Sequence, residues 1–170
     1  MDDSSIDRLR PLVGPTYFVA WLFILVPAMD FLFTVWPLQF GQITWRYGTV
    51  GLLGGFLLSP LLGATMILLL ARVMGHRGLL RVMTVLLLAG GILLLIGVVS
   101  FILDAVQLRG GVPEAERWAF DTGVIKALVK DLTGAIALSW LAGGSFQASR
   151  GPAGASRGGS PLVVGESAKG

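Results

Sequence analysis

Five ionisable side chains lie within or beside long apolar stretches of the sequence, where charges are rare. They are three aspartates and two lysines: Asp30, Asp104, Lys126, Lys130 and Asp131. An unpaired charge at the centre of a bilayer costs about 3 kcal/mol or more, so such groups pair with each other, face water or meet a partner. We therefore predict an intramembrane charge cluster, and the chemistry it suggests is ion pairing, headgroup binding or proton transfer.

Three members of this cluster are predicted to share one depth. With a rise of about 1.5 Å per residue, Asp30 and Asp131 both lie about 4 to 5 Å outward from the centres of their helices, and Lys130 lies about 6 Å outward. The pattern fits a structural ion pair between Asp30 and Lys130 that lets the last helix insert. It also fits a polar cavity that binds a lipid headgroup, or a proton-coupled transport site with Asp30 as the titrating carboxylate. The sequence leaves these three interpretations open.

Residue types that carry most catalytic and metal chemistry are scarce. The chain has no cysteine, which excludes disulfides and thiolate metal sites, and it has a single histidine, His76, in a basic loop. One histidine cannot supply the paired axial ligands of a membrane haem, and it lies on the opposite side of the membrane from the predicted cluster. We predict that the protein is not an enzyme and has no catalytic residue, metal site or cofactor. The net charge of +3 fits contact with anionic headgroups better than nucleic-acid binding.

The elements that must position these groups are apolar helices. The sequence is 54% hydrophobic and 14% charged, against about 25% charged residues in an average soluble domain. Its long apolar runs predict an all-α integral membrane four-helix bundle. The spans are expected at residues 17–36, 49–71, 82–104 and 124–146. The fourth is the least regular, because its clean apolar run from Leu132 to Gly144 has 13 residues whereas a span needs about 20, so it must include Lys126 and Lys130.

The segments that flank the spans are more polar. A glycine pair followed by Pro113 predicts a short amphipathic helix that lies at the interface before the fourth span and bends at Gly123. The predicted domains are an N-terminal tail at residues 1–14, a transmembrane domain at residues 15–146 and a disordered C-terminal tail at residues 147–170. Eight basic residues fall on the side of the termini and five on the other side, which predicts that both termini lie in the cytoplasm.

Small residues recur at every fourth position through the second span, at Gly51, Gly55, Ser59 and Gly63. A spacing of four places them on one helix face, where a second backbone can approach closely. We interpret this stripe as a helix contact, either with another helix of the same chain or with a second copy in a homodimer. Pro60 interrupts the same span and predicts a kink.

Aromatic residues cluster around the loop between the first and second spans. Trp36, Trp45 and Tyr47 form the pattern of an aromatic belt, and Arg46 is the only charge in the loop. We predict that these four residues anchor the protein at the membrane interface. The alternative is a binding role for Trp45 and Arg46.

The same hairpin is similar to part of a known family. The pattern is an acid in the first helix, a short proline-containing turn, a tryptophan a few residues later and a Pro-Leu-Leu-Gly sequence late in the second helix: Asp30, Pro37, Gln39, Phe40, Trp45, Arg46, Gly51 and residues 60–63. This pattern covers about a fifth of the chain and resembles HpsJ-like membrane proteins, cyanobacterial accessory proteins associated with polysaccharide secretion and exosortase-type systems. The resemblance implies an accessory role at the cell envelope and no catalysis.

The predicted function is that of a non-enzymatic accessory or scaffold protein in a bacterial envelope or membrane complex. Its expected partners are the lipid bilayer and other membrane subunits or a second copy of the chain, and not nucleic acid. The alternative is a small proton-coupled transporter or a lipid-binding membrane protein that uses Asp30 and Lys130.

Overall fold

The computed structural model describes residues 3–150 of the chain, with side chains from residue 11 onward. This part consists of helices and contains no strand, which confirms the all-α prediction. The bounds are α1 Asp3–Val35, α2 Ile43–Phe56, α3 Leu58–Val73, α4 Arg77–Arg109, a short 3-10 helix Glu114–Glu116 and α5 Arg117–Arg150. From position 151 onward, the predicted disordered tail lies outside the described residues.

Two helices of the described part are long and apolar enough to cross a membrane, namely α1 from Pro11 to Val35 and the whole of α4. α2 and α3 together qualify as a third span that is bent. The surfaces of α1 and α4 suit a lipid environment, because many of their large apolar side chains are exposed, among them Phe33 at 70% and Leu93 at 68%.

The second predicted span is broken at Leu57, where α3 leaves α2 at an angle of 46°. Pro60 explains the break, because proline has no N–H to donate to the carbonyl of Phe56 and its ring pushes that carbonyl aside. The kink predicted from Pro60 is therefore confirmed. The bend also turns α2 and α3 toward different neighbours in the bundle.

A hydroxyl from α3 compensates for another proline, Pro27, inside α1. Pro27 cannot donate the helical hydrogen bond to the carbonyl of Phe23, four residues earlier. Ser59 Oγ donates to that carbonyl instead, over a distance of 3.1 Å. One turn further along α3, Gly63 lets α1 approach so closely that a Cβ there would lie 2.5 Å from the carbonyl oxygen of Ala20. Ser59 and Gly63 thus fasten α3 to α1.

The remaining helices form a second packing unit. α4 lies alongside α5, and α2 packs across both of them, whereas α1 rests on α3 and α2. A buried cluster of small and medium side chains joins the two units: Ala20, Ala64, Ile67, Met83, Leu87 and Ala142. Gly134 of α5 lies so close to the α2–α3 junction that a Cβ there would meet Leu57 Cδ1 at 2.5 Å.

The predicted interfacial helix before the fourth span is wrong as a separate element. α5 runs without a break from Arg117 through Gly123 to Arg150. A glycine costs a helix only about 1 kcal/mol, and the contacts of Phe120 with Tyr47 and of Asp121 with Arg109 hold the first turns of α5 in place. At the other end of the chain, α1 already begins at Asp3, so the predicted N-terminal tail is helical where it is described.

Candidate functional site

One end of the bundle, where α2 begins and α4 ends, is closed by an ion pair. Arg46 donates from Nε to Asp104 Oδ2 over 3.0 Å and from Nη2 to Asp104 Oδ1 over 2.6 Å. Its Nη1 also donates to the carbonyl of Phe40, at 3.1 Å. The Asp104 side chain is 3% exposed and that of Arg46 is 34% exposed. A planar guanidinium that meets a carboxylate through two bonds makes a strong and directional contact, here between α2 and α4.

Aromatic rings pack beside this ion pair. Tyr47 stacks between Phe101 of α4 and Phe120 of α5, with ring centroids 4.8 Å and 5.5 Å away. Trp45 donates from Nε1 to the carbonyl of Val35 at 2.9 Å and so ties the start of α2 to the end of α1. Three consecutive residues of α2, including Arg46, therefore connect α1, α4 and α5.

A second ion pair joins α4 to α5 at the same end. Arg109 donates to both carboxylate oxygens of Asp121, at 2.9 Å and 2.8 Å. These hydrogen bonds hold the pKa of Asp121 below its ordinary value of 3.8. We use the name closed end for the following residues: Trp45, Arg46, Tyr47, Asp104, Arg109 and Asp121.

Three of the four predicted interface anchors are contacts between helices, a role that the sequence pattern did not indicate. Trp45, Arg46 and Tyr47 are each partly buried. Trp36, which precedes a cis peptide bond to proline, is 67% exposed. The partnership of Arg46 with Asp104 was missed because the two residues are 58 positions apart and helical periodicity does not link separate helices.

The predicted charge cluster is divided among several places. Asp104 belongs to the closed end, whereas Lys126 and Lys130 are exposed on α5 and Asp30 is exposed on α1. The ion pair between Asp30 and Lys130, one of the three interpretations, is not formed, because neither side chain makes a salt bridge with a described residue. α2 and α3 separate these helices, so a shared depth does not bring the two side chains together.

The last member of the predicted cluster, Asp131, is a buried carboxylate. It is 0% exposed, and neither oxygen has a hydrogen-bond partner among the described residues. It faces Gly54 of α2, where a Cβ would lie 2.7 Å from Asp131 Oδ1 and 2.8 Å from the Cβ of Lys130. Buried polar groups are nearly always hydrogen-bonded, so this exception marks a candidate functional group. Gly54 does not belong to the predicted stripe of small residues, so its close contact was missed.

The predicted stripe does not form one face. A Cβ at Gly51 would lie 3.4 Å from the ring of Phe101, while Ser59 and Gly63 contact α1. At Gly55 a Cβ would meet nothing within 4 Å in the part of the chain that the structure describes. The bend between α2 and α3 gives the two halves of the stripe different neighbours. Gly55 is therefore not a contact position within the described chain, and the homodimer alternative stays a prediction.

The opposite end of the bundle carries the basic loop between α3 and α4. Tyr17 Oη and His76 Nδ1 share a hydrogen bond of 3.1 Å, which ties this loop to α1. We call this the basic end, after four arginines near the helix termini that meet here: Arg72, Arg77, Arg81 and Arg150. Within residues 11–150, no group of three His, Asp or Glu side chains is placed to hold a metal ion. Comparison with protein-family models, with curated proteins and with solved structures finds no match to the chain.

Proposed function

We propose that the chain is an integral membrane protein that crosses the bilayer four times and acts as a non-enzymatic accessory or scaffold subunit of a bacterial envelope complex. The way in which α5 accompanies α4 supports the fourth crossing. Arg109 pairs with Asp121 at one end, and Ser145 Oγ donates to the carbonyl of Leu80 near the other, at 2.7 Å. The 25 residues from Asp121 to Ser145 extend over about 36 Å, more than a hydrocarbon core of about 30 Å. A helix fastened to α4 at both ends lies at the same depth as α4.

The exposed carboxylate of Asp30 is the observation that supports an accessory role. Its carboxylate is exposed on α1 and has no partner in the described part of the chain. It lies five residues before the end of α1, about 7 to 8 Å along the axis, near the exposed side chains of Met29 and Phe33. A carboxylate on the lipid-facing surface of a membrane helix is costly unless it meets a cation or a hydrogen-bond donor. α1 packs on α3 and α2, which leaves the opposite face of α1 open to a partner.

The partner expected from this chemistry is a membrane-spanning helix that presents Lys or Arg at the depth of Asp30. The resemblance of the first hairpin to HpsJ-like proteins includes Asp30 and supports the same role. The excess of basic residues at the basic end supports a bacterial inner membrane with both termini in the cytoplasm.

Reporter fusions test the four crossings. Fusions after Gly41 and Gly111 should report a location outside the cytoplasm, whereas fusions after Gly75 and at the C-terminus should report the cytoplasm. Four crossings return the chain to its starting side, so a C-terminal reporter outside the cytoplasm would show that α5 does not cross.

Photocrosslinking in native membranes tests the partner. A photoreactive residue at Phe33, on the exposed face near Asp30, should give a discrete protein adduct, whereas one at Val99, 59% exposed on α4, should not. The adduct should persist in Asp30→Glu and disappear in Asp30→Asn, because the contact requires the charge. Glu114→Gln is the matched control, since it removes an acid between α4 and α5. An adduct that is unaffected by Asp30→Asn, or no adduct at all, would contradict the proposed docking through α1.

A second candidate function, proton-linked transport, is favoured by Asp131. A buried carboxylate without a hydrogen-bond partner in the described structure is the kind of group that takes up and releases protons in membrane transporters. The purified protein in vesicles should then dissipate a pH gradient, and Asp131→Asn should abolish the flux while the fold persists. Equal rates for the wild type and Asp131→Asn would remove this candidate.

A further inference from the structure

A cleft of about 960 Å³ opens between α4 and α5 at the basic end. Residues of both helices line it, among them Arg81, Val85 and Leu88 of α4, and Ala142, Phe146 and Arg150 of α5. Spacings of three or four residues between successive members place each set on one face of its helix. Small residues on α5 create the space, and a Cβ added at Gly143 would meet nothing within 4 Å in the described structure.

The lining of the cleft changes from charged to apolar with depth. Arg150 is the last residue of α5, and Arg77, which also lines the cleft, is the first residue of α4. Leu88 lies 11 residues into α4 from Arg77, about 16 Å deeper along the helix axis. A molecule that fits this gradient has an anionic head and an apolar tail.

Two of the arginines at the mouth have no carboxylate partner among residues 11–150. Arg81 and Arg150 form no salt bridge with any described residue, and the guanidinium of Arg150 rests 4.0 Å from the ring centroid of Phe146. The six acidic residues between positions 11 and 150 all lie in the half of the bundle nearer the closed end. The N-terminus of α4, where His76 makes no side-chain cap, adds a partial positive charge to the same region.

We propose that this cleft binds one anionic glycerophospholipid from the leaflet at the basic end, which is the cytoplasmic leaflet in the proposed topology. The phosphate lies between Arg81 and Arg150, and the acyl chain lies along Val85, Leu88 and Phe146. The apolar depth favours a lipid over a free anion, and the arginines favour an anionic over a zwitterionic headgroup. The inference rests on α4 and α5 lying in a bilayer, and it does not depend on docking through α1.

Native mass spectrometry of the purified full-length protein, titrated in detergent with phosphatidylglycerol or phosphatidylcholine, tests the proposal. One phosphatidylglycerol should bind per chain, at least about tenfold more tightly than phosphatidylcholine. Arg81→Gln combined with Arg150→Gln should lower the affinity for phosphatidylglycerol about 30-fold, because each arginine near an anionic headgroup contributes roughly a fivefold factor to binding. Free glycerol phosphate at the same concentration should not displace the lipid.

Two further variants separate a built site from general surface charge. Arg72→Gln is the matched control, because Arg72 lies at the same end but does not line the cleft, and it should change the affinity less than about twofold. Gly143→Leu should lower lipid affinity by filling the cleft, while the thermal midpoint of the protein does not fall. Equal binding of the two lipids, equal loss in Arg72→Gln, displacement by glycerol phosphate, or full binding by the paired arginine variant would each overturn the proposal. The fusion and crosslinking experiments do not involve the cleft, so their failure is separable from these outcomes.

Discussion

The two ends of the bundle use arginine in opposite ways. At the closed end, Arg46 and Arg109 are each held by a carboxylate from another helix through two hydrogen bonds. At the basic end, Arg72, Arg81 and Arg150 form no salt bridge with a described residue. Arg46 and Arg109 therefore join helices because a second helix supplies the acid, whereas Arg72, Arg81 and Arg150 have no described carboxylate to pair with.

The largest effect on stability is expected from Asp104→Ala. This change strands the guanidinium of Arg46 at a helix contact and should lower the free energy of unfolding by about 2 to 3 kcal/mol. Water relieves part of the cost, because Arg46 is 34% exposed. Arg81→Gln at the basic end should change stability by less than about 0.5 kcal/mol. Thermal unfolding in detergent compares the two variants. Similar losses of stability in both would show that the arginines of the two ends do not differ in their contribution to the fold.

The next largest effect on stability is expected from overpacking at a helix contact rather than from the loss of an ion pair. Gly54→Ala places a Cβ 2.7 Å from Asp131 Oδ1 and 2.8 Å from the Cβ of Lys130. Such overpacking costs about 1 to 3 kcal/mol. Gly143→Ala in the open cleft should instead stabilise the protein by up to about 1 kcal/mol, because alanine is the better helix former. If Gly54→Ala and Gly143→Ala changed the free energy of unfolding in the same direction, the two positions would not differ in packing.

Sequence reasoning predicted the helices well and the contacts between them poorly. Pro60 predicts its own kink, because a missing N–H acts within one helix. The stripe that includes Gly55 failed because its periodicity assumes one straight helix, which the kink interrupts. Depth estimates placed Asp131 in the apolar region, but its burial against Gly54 depends on how α5 is rotated about its axis. Neighbouring helices set that rotation. The sequence of α5 does not indicate it, because charged residues interrupt the apolar stretch and no single apolar face can be identified.

A smaller effect is expected midway between the ends. Ser59→Ala removes the donor to the carbonyl of Phe23 and should cost about 1 kcal/mol. In a Pro27→Ala background, the new N–H of residue 27 can donate to that carbonyl, so the same change should cost less. A double-mutant cycle by thermal unfolding measures the difference. Strictly additive losses would mean that Ser59 does not compensate for the proline.

The smallest effect is a pH dependence at the closed end. Arg109 lowers the pKa of Asp121, so their pair stabilises the fold above the ordinary pKa of 3.8, and this stabilisation is lost as the pH falls through the lowered value. The thermal midpoint should therefore fall more in the wild type than in Asp121→Asn between about pH 5 and about pH 2. The arginines of the basic end do not titrate in this range. Parallel profiles would show that the pair adds nothing measurable.

The break at Leu57 also has a consequence for the order in which the chain is made. Synthesis delivers α1, α2 and α3 to the membrane first, and α3 then finds its partner helix, α1, already present. α2 meets α1 through Trp45 and Val35, but its contacts with α4 and α5 come later, because Arg46 lacks Asp104 until 58 further residues have been made, and Tyr47 lacks Phe120 for longer still. The bend gives α3 a contact with α1 that does not depend on the contacts of α2 with α4 and α5. We therefore expect Arg46 to stay near the aqueous interface until the later helices emerge and complete the closed end.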